Sequence, residues 1–298
     1  MNQSRSSSPF SVPEIRYHNT GVRGMLPETK GTCPYLYFPA FREIEEIIHG
    51  FSTRLGGVSE GDLSSMNLSF SRGDKPENVR TNYQRVAEAI GFQTDQVVCT
   101  VQTHTTNVKK VSAADRGNGL ARPQAFHDVD GLITDSPGVI LTAFFADCVP
   151  LFLIDPVHHA IGLSHSGWKG TAAQMGRVTI ECMREHFGSD PAELYAGIGP
   201  SICRDCYEVS EEVIEAFRGS YPSDRMDSFV KTGKRKGKYQ LDLWEANRQL
   251  FLLSGLQKDH IFLPNICTCC NPEVLFSHRA SQGRRGNLAA FLGLRDTQ

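Results

Sequence analysis

His104, Cys148 and His165 each lie at the end of an apolar, strand-sized run: Val101-Gln102-Thr103-His104, Phe145-Ala146-Asp147-Cys148-Val149-Pro150 and Leu163-Ser164-His165-Ser166-Gly167-Trp168. Strand ends of one sheet can converge, and two imidazoles with one thiolate are a three-ligand zinc set whose fourth tetrahedral position stays open to water. Such a water has its pKa lowered to around 7 and serves as nucleophile or general base at neutral pH. The separations far exceed those of a local zinc motif, so two other readings stand beside this one on the residues alone. A His or Cys at a strand end is commonly a hydrogen-bonded or buried structural residue. Alternatively, Cys148 is a nucleophile with His165 or His104 as its base, because a neighbouring imidazole lowers a thiol pKa from about 8.5.

The turn after His165 offers a second kind of chemistry. Gly167 and Gly170 free the backbone, and Thr171 with Gln174 three residues later reads as a capping box opening a helix that runs to about His186. Amides at such a terminus, with the positive end of the helix dipole, suit an anion, and Lys169 adds a charge. The plainer alternative is a tight strand-to-helix connection with a solvated Lys169. Trp168 serves either as a platform for a flat ring or as core.

The nine cysteines are read as thiols or ligands rather than disulfides, since no export signal is legible in the sequence. Cys203 and Cys206 form a C-x2-C pair. A C-x2-C pair beside a second cysteine cluster offers a structural zinc site as one reading, but Cys267-Thr268-Cys269-Cys270 is read as lacking the C-x2-C spacing that lets two thiolates of one turn reach the same ion with ease. These five cysteines are therefore expected to be buried and inert.

Around these residues the sequence alternates short strands with helices. Phe51 to Ser59 pairs a strand with a Gly-Gly turn, and Asp74-Lys75-Pro76-Glu77-Asn78 carries the start signals of a helix to about Ile90. Strand-sized apolar runs cover 97–101, 108–111, 131–133, 139–145 and 160–164. Beyond the central helix, 195–198 reads as a strand, 243–253 as a helix, and 261–263, 274–277 and 288–292 as short strands. Residues 1–30 are polar and without period, and are read as a tail and surface arm, with organised structure starting near Tyr35 and one mixed α/β domain occupying 31–298.

Composition narrows the function classes. At 298 residues, 40% hydrophobic and 21% charged, the chain is of globular type, and a formal charge of -2 gives no reason to expect a nucleic-acid partner or an anionic membrane. The longest apolar run, 138–146, is well short of the ~20 residues of a spanning helix. The Ser-rich start has no apolar region behind it, so the protein is expected in the cytoplasm; a monomer is the separate expectation for its assembly.

Seven ordered motifs between about residues 50 and 292 resemble one family, the laccase-domain (multicopper polyphenol oxidoreductase) proteins of the YfiH type, described as purine nucleoside phosphorylases. They are Phe51-Ser-Thr-Arg54-x-Gly-Gly-Val-Ser59 with Met66-Asn67-Leu68; Gln102-Thr-His104; Asp130-Gly-Leu-Ile-Thr134; Ala146-Asp-Cys148-Val-Pro150; His165-Ser-Gly-Trp168-Lys-Gly170; Gly197-Ile-Gly-Pro200 with Cys206-Tyr-Glu-Val209; and Leu275-Phe-Ser277-His-Arg279. The resemblance implies that His104, Cys148 and His165 form the metal site, with zinc as occupant and copper as the alternative. It implies a single-domain layered α/β/β/α sandwich of mixed sheets, akin to cysteine hydrolases of the deamidating-toxin type. It also implies phosphorolysis of adenosine, inosine, guanosine or methylthioadenosine to base and ribose 1-phosphate, and hydrolytic deamination of adenosine. Phosphate binding calls for guanidinium groups or helix-end amides, and Arg54, Arg279 and the Thr171 terminus are the candidates. Asn67 is a candidate hydrogen-bond partner of ribose or base. At Gly283-Arg284-Arg285-Gly286-Asn287 the chain departs from the Thr-Gly-Arg-like segment of many relatives.

Three rival functions remain. Copper-dependent phenol oxidation of the laccase type needs about eight further His in His-x-His pairs, whereas this chain has ten His in all and no His-x-His. Amide hydrolysis by a Cys148-His dyad, as in relatives assigned to editing peptidoglycan precursors, survives chelation where a zinc site does not. A nucleoside-binding protein without catalysis yields no product.

Overall fold

The computed structural model describes residues 13–19 and 24–296. In chain order the strands are β1 (Leu26–Lys30), β2 (Cys33–Tyr37), β3 (Ile47–Ser52), β4 (Val97–Cys99), β5 (Val108–Lys110), β6 (Gly131–Thr134), β7 (Ile140–Phe145) and β8 (Val149–Asp155). They continue as β9 (Ala160–Ser166), β10 (Tyr195–Ile198), β11 (Glu208–Ser210), β12 (Val230–Thr232), β13 (Lys238–Leu241), β14 (Ile261–Phe262) and β15 (Leu288–Leu294). The helices are α1 (Pro39–Arg42), α2 (Pro76–Ile90), α3 (Trp168–Ala172), α4 (Met175–Phe187), α5 (Glu211–Arg218), α6 (Ser223–Phe229), α7 (Leu243–Leu253) and α8 (His278–Ser281).

Two six-stranded mixed sheets dominate. One has the order β1-β2-β3-β15-β7-β4, the other β14-β10-β8-β9-β6-β5, and β11, β13 and β12 form a small antiparallel sheet. In β8, β9 and β15 every residue is buried, so these central strands read as nearly continuous apolar runs without alternation. The core between the sheets is built from Phe38, Phe51, Phe145, Phe152, Leu163 and Phe276, with others around them. The outer face of the first sheet is covered by α2, whose Val79, Tyr83, Val86 and Ile90 fall at three- and four-residue spacing. Pro76 begins that helix and Gly91, at φ 98°, closes it. On the second sheet, α4 seats over β9 at Gly162, where a Cβ would stand 3.1 Å from Met183 Sδ and 3.2 Å from Thr179 Cγ2. The result is a mixed α/β fold with helices outside two stacked sheets.

Several elements differ from the sequence reading. Strand β8 is absent from it: the apolar run 149–154, which resumes after Asp147 and Cys148, carries no alternation that marks a strand of its own. Residues 274–277 are a turn leading into α8, not a strand; they are apolar because Val274, Leu275 and Phe276 are buried, with no strand partner. The helix placed at Thr171 is two helices: α3 starts at Trp168 with Gly167 as N-cap, and Gln174, at φ 62°, ends it before α4. Gln174 therefore breaks the helix instead of boxing its start. Part of the segment read as an arm is built into the fold, since β1 pairs antiparallel with β2 and Tyr17 bridges to Ile266. Residues 1–12 and 20–23 of that arm lie outside the described residues.

Candidate active site

The chain leaves the first sheet at Phe145 and enters the second at Val149, so Ala146-Asp147-Cys148 spans the gap between them. Asp147, at φ 86°, makes the bend, and its carboxylate is held by Thr268 Oγ1 and the Arg279 amide, both donating at 2.6 Å. Pairing of β8 with β9 sets Pro150 opposite His165 and Val149 opposite Ser166, which brings Cys148 alongside His165 and Gly167. His104 arrives from the other side, in the loop after β4, at φ 67°. The three residues thus meet at the seam between two sheets, rather than at the strand ends of one.

Their donor atoms lie within 4.8 Å of one another, with Cys148 Sγ 4.0 Å from His104 Nε2 and the imidazoles edge-to-face at 4.9 Å between centroids. Gly167 leaves the room for this: a Cβ there would sit 3.0 Å from Cys148 Sγ and 3.1 Å from His104 Cδ2.

Asp130, fully buried, organises the group. One carboxylate oxygen accepts from His165 Nδ1 at 2.8 Å and from the His104 amide at 3.1 Å; the other accepts from the Thr103 and Thr105 amides at 2.9 and 3.0 Å. That pattern leaves His165 Nε2 for the site, the arrangement in which a carboxylate fixes the tautomer of a metal-ligating His. Burial pushes the Asp130 carboxyl up, but these hydrogen bonds and the His165 charge win and hold it below the usual range. Burial likewise raises the Cys148 thiol, yet the His165 charge and the hydrogen bonds of both imidazoles bring it down to about 6. For His165 burial acts downward, and the Cys148 thiolate and Asp130 lift it to about 9. Without a metal the pair is a thiolate beside an imidazolium. Two imidazoles and a thiolate at this spacing are a donor set suited to zinc, with one tetrahedral position left over.

The three residues open into a cavity of about 800 Å³, of a size to take a nucleoside, walled also by Phe70, Leu120, Phe144 and Arg285. Burial brings the Arg285 guanidinium down to about 10, so it stays charged at neutral pH. Its Nη1 donates to Asn287 Oδ1 and Gly286 O, while its buried Nε meets no acceptor among the described residues. Sequence reasoning missed Arg285 as a candidate because its segment departs from the family pattern. It noted Asp130 only within a motif; an Asp directly before the apolar run 131–133 was the one signal available.

The other sequence candidates lie outside the lining of this cavity. Arg54 donates to Ser64 O and Pro272 O, lies over the Phe276 ring and lines a neighbouring cavity of about 340 Å³ that shares Arg285 with the first. Asn67 is fully buried behind the wall: its amide donates to Ser69 O and Asp74 Oδ2, and its oxygen accepts from the Ser69 and Asn287 amides. Lys169 is exposed over the Trp168 ring. Thr171 is buried in α3, its amide bonded to Gly167 O and its hydroxyl to Ser166 and Asn247, so it presents no free helix-end amide. Arg279 donates to Cys206 O and lies over Tyr207. Copper-cluster chemistry of the laccase kind finds no second His-containing group: among the described residues, the two groups with metal-ligand geometry are this one and Cys203, Cys206, Cys267 and Cys270. No described helix is long and apolar enough to cross a membrane.

Comparison with known proteins agrees with this architecture. The family model of multi-copper polyphenol oxidoreductase laccase matches residues 48–295. The purine nucleoside phosphorylase YlmD of Bacillus subtilis is 38% identical over 253 residues, 85% of this chain and 90% of that protein. The mouse purine nucleoside phosphorylase LACC1 is 31% identical over 91% of this chain, which spans 60% of the mouse protein. The crystal structure of YlmD from Geobacillus stearothermophilus superposes with a TM-score of 0.85 at 34% identity, covering 92% of this chain and all of that one.

Proposed function

The chain belongs to the multi-copper polyphenol oxidoreductase laccase family, and on that premise we propose that it is a zinc-dependent purine nucleoside phosphorylase, in keeping with the names of its relatives. Its substrates in this reading are adenosine, inosine, guanosine and methylthioadenosine, each cleaved by phosphate to base and ribose 1-phosphate, with hydrolytic deamination of adenosine as a second activity. The observation that carries it is the opening of His104, Cys148 and His165 into one nucleoside-sized cavity that also holds a buried, charged arginine.

His104, Cys148 and His165 would hold the zinc, which when bound supplies a Lewis acid at the cavity floor. Asp130 keeps His165 in the tautomer that faces the site. Arg285 binds and orients phosphate, in a largely buried setting where a guanidinium acts more strongly on an anion than in water. Phe70 and Phe144 offer apolar walls to the flat base. Phosphorolysis breaks the bond between ribose C1′ and the purine nitrogen and forms a bond from a phosphate oxygen to C1′, the purine leaving with a proton. Arg54, Arg279, Lys169, Thr171 and Asn67 act in this reading through the fold around the cavity.

A second reading rests on the depressed Cys148 thiol 4.0 Å from His104 Nε2: a Cys-His amide hydrolase, in line with the cysteine-hydrolase-like fold that the sequence resemblance implies. Zinc-replete protein incubated with adenosine and phosphate separates the two, with adenine, inosine and ribose 1-phosphate resolved by liquid chromatography. Phosphate-dependent adenine release, lost in Cys148→Ala and after chelation, is the expected result. Absence of any product from the zinc-replete protein sinks the nucleoside reading, and chelator-resistant amide hydrolysis would replace it.

A further inference from the structure

A second thiol cluster lies apart from the cavity. Cys203 and Cys206, in the loop after β10, meet Cys267 and Cys270, in the turn after β14, and their four sulfurs all lie within 4.8 Å of one another. The expectation of inert thiols overlooked that Cys267 and Cys270 are themselves a C-x2-C pair, with Thr268 and Cys269 between them. The sulfur of Cys270 is 3.5 Å from that of Cys206 and 4.0 Å from that of Cys203. A disulfide holds its sulfurs at about 2.05 Å. In a tetrahedron with Zn–S of about 2.3 Å, neighbouring sulfurs are about 3.8 Å apart, within the range found here.

We propose that Cys203, Cys206, Cys267 and Cys270 form a structural site for one tetrahedral thiophilic cation, zinc, distinct from the His104, Cys148, His165 centre. Two C-x2-C turns facing each other supply a closed four-thiolate set with no position left for substrate, which marks a structural site. The surroundings suit thiolates. The Cys203 amide donates to Cys267 Sγ at 3.2 Å, and the Arg279 guanidinium donates to Cys206 O at 3.0 Å, placing positive charge beside the cluster. Cys203 and Cys267 are buried, Cys206 and Cys270 half-buried, so the ligands are shielded from bulk oxidants yet reachable by a metal.

The site also has a mechanical consequence. It ties the 201–207 loop to the 266–271 turn, where Ser201 and Cys267 form an isolated parallel bridge and the Thr268 amide donates to Ser201 O. Thr268, between two of the ligands, donates to Asp147, and the Ile202 amide donates to Asp147 O. Both halves of the cluster thus brace the bend that presents Cys148, although neither touches the cavity.

The test is metal stoichiometry. Protein reconstituted with zinc under reducing conditions and dialysed should carry two zinc ions per chain by mass spectrometry of the elements. The double variant Cys148→Ala/His165→Ala should lose one and keep one, and Cys206→Ser/Cys270→Ser should also lose one. Because the second variant can fail to fold, the first carries the decision: loaded with cobalt, it should show a thiolate-to-cobalt charge-transfer band and the intense visible bands of a tetrahedral ion. A mercurial thiol reagent should release its remaining zinc. Zinc-reconstituted Cys148→Ala/His165→Ala free of metal, or a weak octahedral cobalt spectrum, overturns the proposal. So does a Cys206–Cys270 disulfide in non-reducing peptide maps of freshly purified protein.

Discussion

Replacing Asp130 with Asn keeps the shape of the side chain and removes its charge and one acceptor. If the amide nitrogen takes the place of the oxygen facing Thr103 and Thr105, two backbone N–H groups that cannot turn away lose their acceptor and face a donor. If it takes the other place, the His104 amide and His165 Nδ1 are left in that position, and His165 must surrender the tautomer that directs Nε2 into the site. Each stranded buried donor costs about 1–3 kcal/mol, so Asp130→Asn should lower unfolding stability by roughly 2–5 kcal/mol. Loss of the partner that orients a ligating His should weaken zinc at this centre by about 10–100-fold. Urea unfolding of the metal-free protein reads the first quantity and competition with a chromophoric chelator the second, with metal held in the Cys203 cluster counted separately. An Asn variant with zinc affinity within about twofold of the parent and an unchanged urea midpoint would refute the assignment of Asp130 as the positioning group.

Three further outcomes follow from the same geometry. Gly167→Ala places a Cβ against Cys148 Sγ and His104 at a backbone angle, φ -70°, that alanine adopts freely; zinc binding at the centre should fall by about tenfold or more while unfolding stability changes by about 1 kcal/mol, and equal affinity would show that the ligands move aside at no cost. Arg285→Met should raise the KM for phosphate by about tenfold or more with zinc content unchanged, steady-state kinetics deciding, and an unaltered phosphate KM would remove Arg285 from the anion site. His49 is buried, its Nε2 accepting from the Phe38 amide at 2.9 Å, and burial together with the Arg42 guanidinium drives its pKa down to about 3. Below an ordinary 6.5 the unfolded chain takes up a proton that folded His49 refuses, so this contribution is complete above that pH and is lost as pH falls towards 3. Between neutrality and about pH 5 the loss is roughly 2 kcal/mol, and urea unfolding of His49→Gln, which keeps an acceptor for Phe38, should show a shallower decline than the parent; identical slopes would refute it.

Taken alone, the sequence determined the elements whose signals are local. Pro76 and the apolar spacing behind it announced α2; 195–198 and 243–253 coincide with β10 and α7. The types of the metal-ligand candidates were legible too, because His and Cys flanking strand-sized runs stand out, and the ordered motifs tied them to a family. Tertiary structure decided what depends on pairing and on empty space. Asp147 interrupts the apolar residues of β7 and β8, but nothing in the sequence shows that the chain changes sheet there, since a strand buried on both faces carries no alternation. Burial likewise made 274–277 resemble a strand where the backbone turns. The role of Asp130 follows from the Thr103, His104, Thr105 and His165 atoms that face it across more than twenty residues of sequence, and that of Arg285 from the cavity it shares with His104, Cys148 and His165. The two C-x2-C turns are visible as spacing, but their meeting depends on the 201–207 loop and the 266–271 turn coming together. Spacing along a chain records local geometry, whereas a four-sulfur cluster or a carboxylate beneath an imidazole is set by the register and stacking of strands distant in sequence.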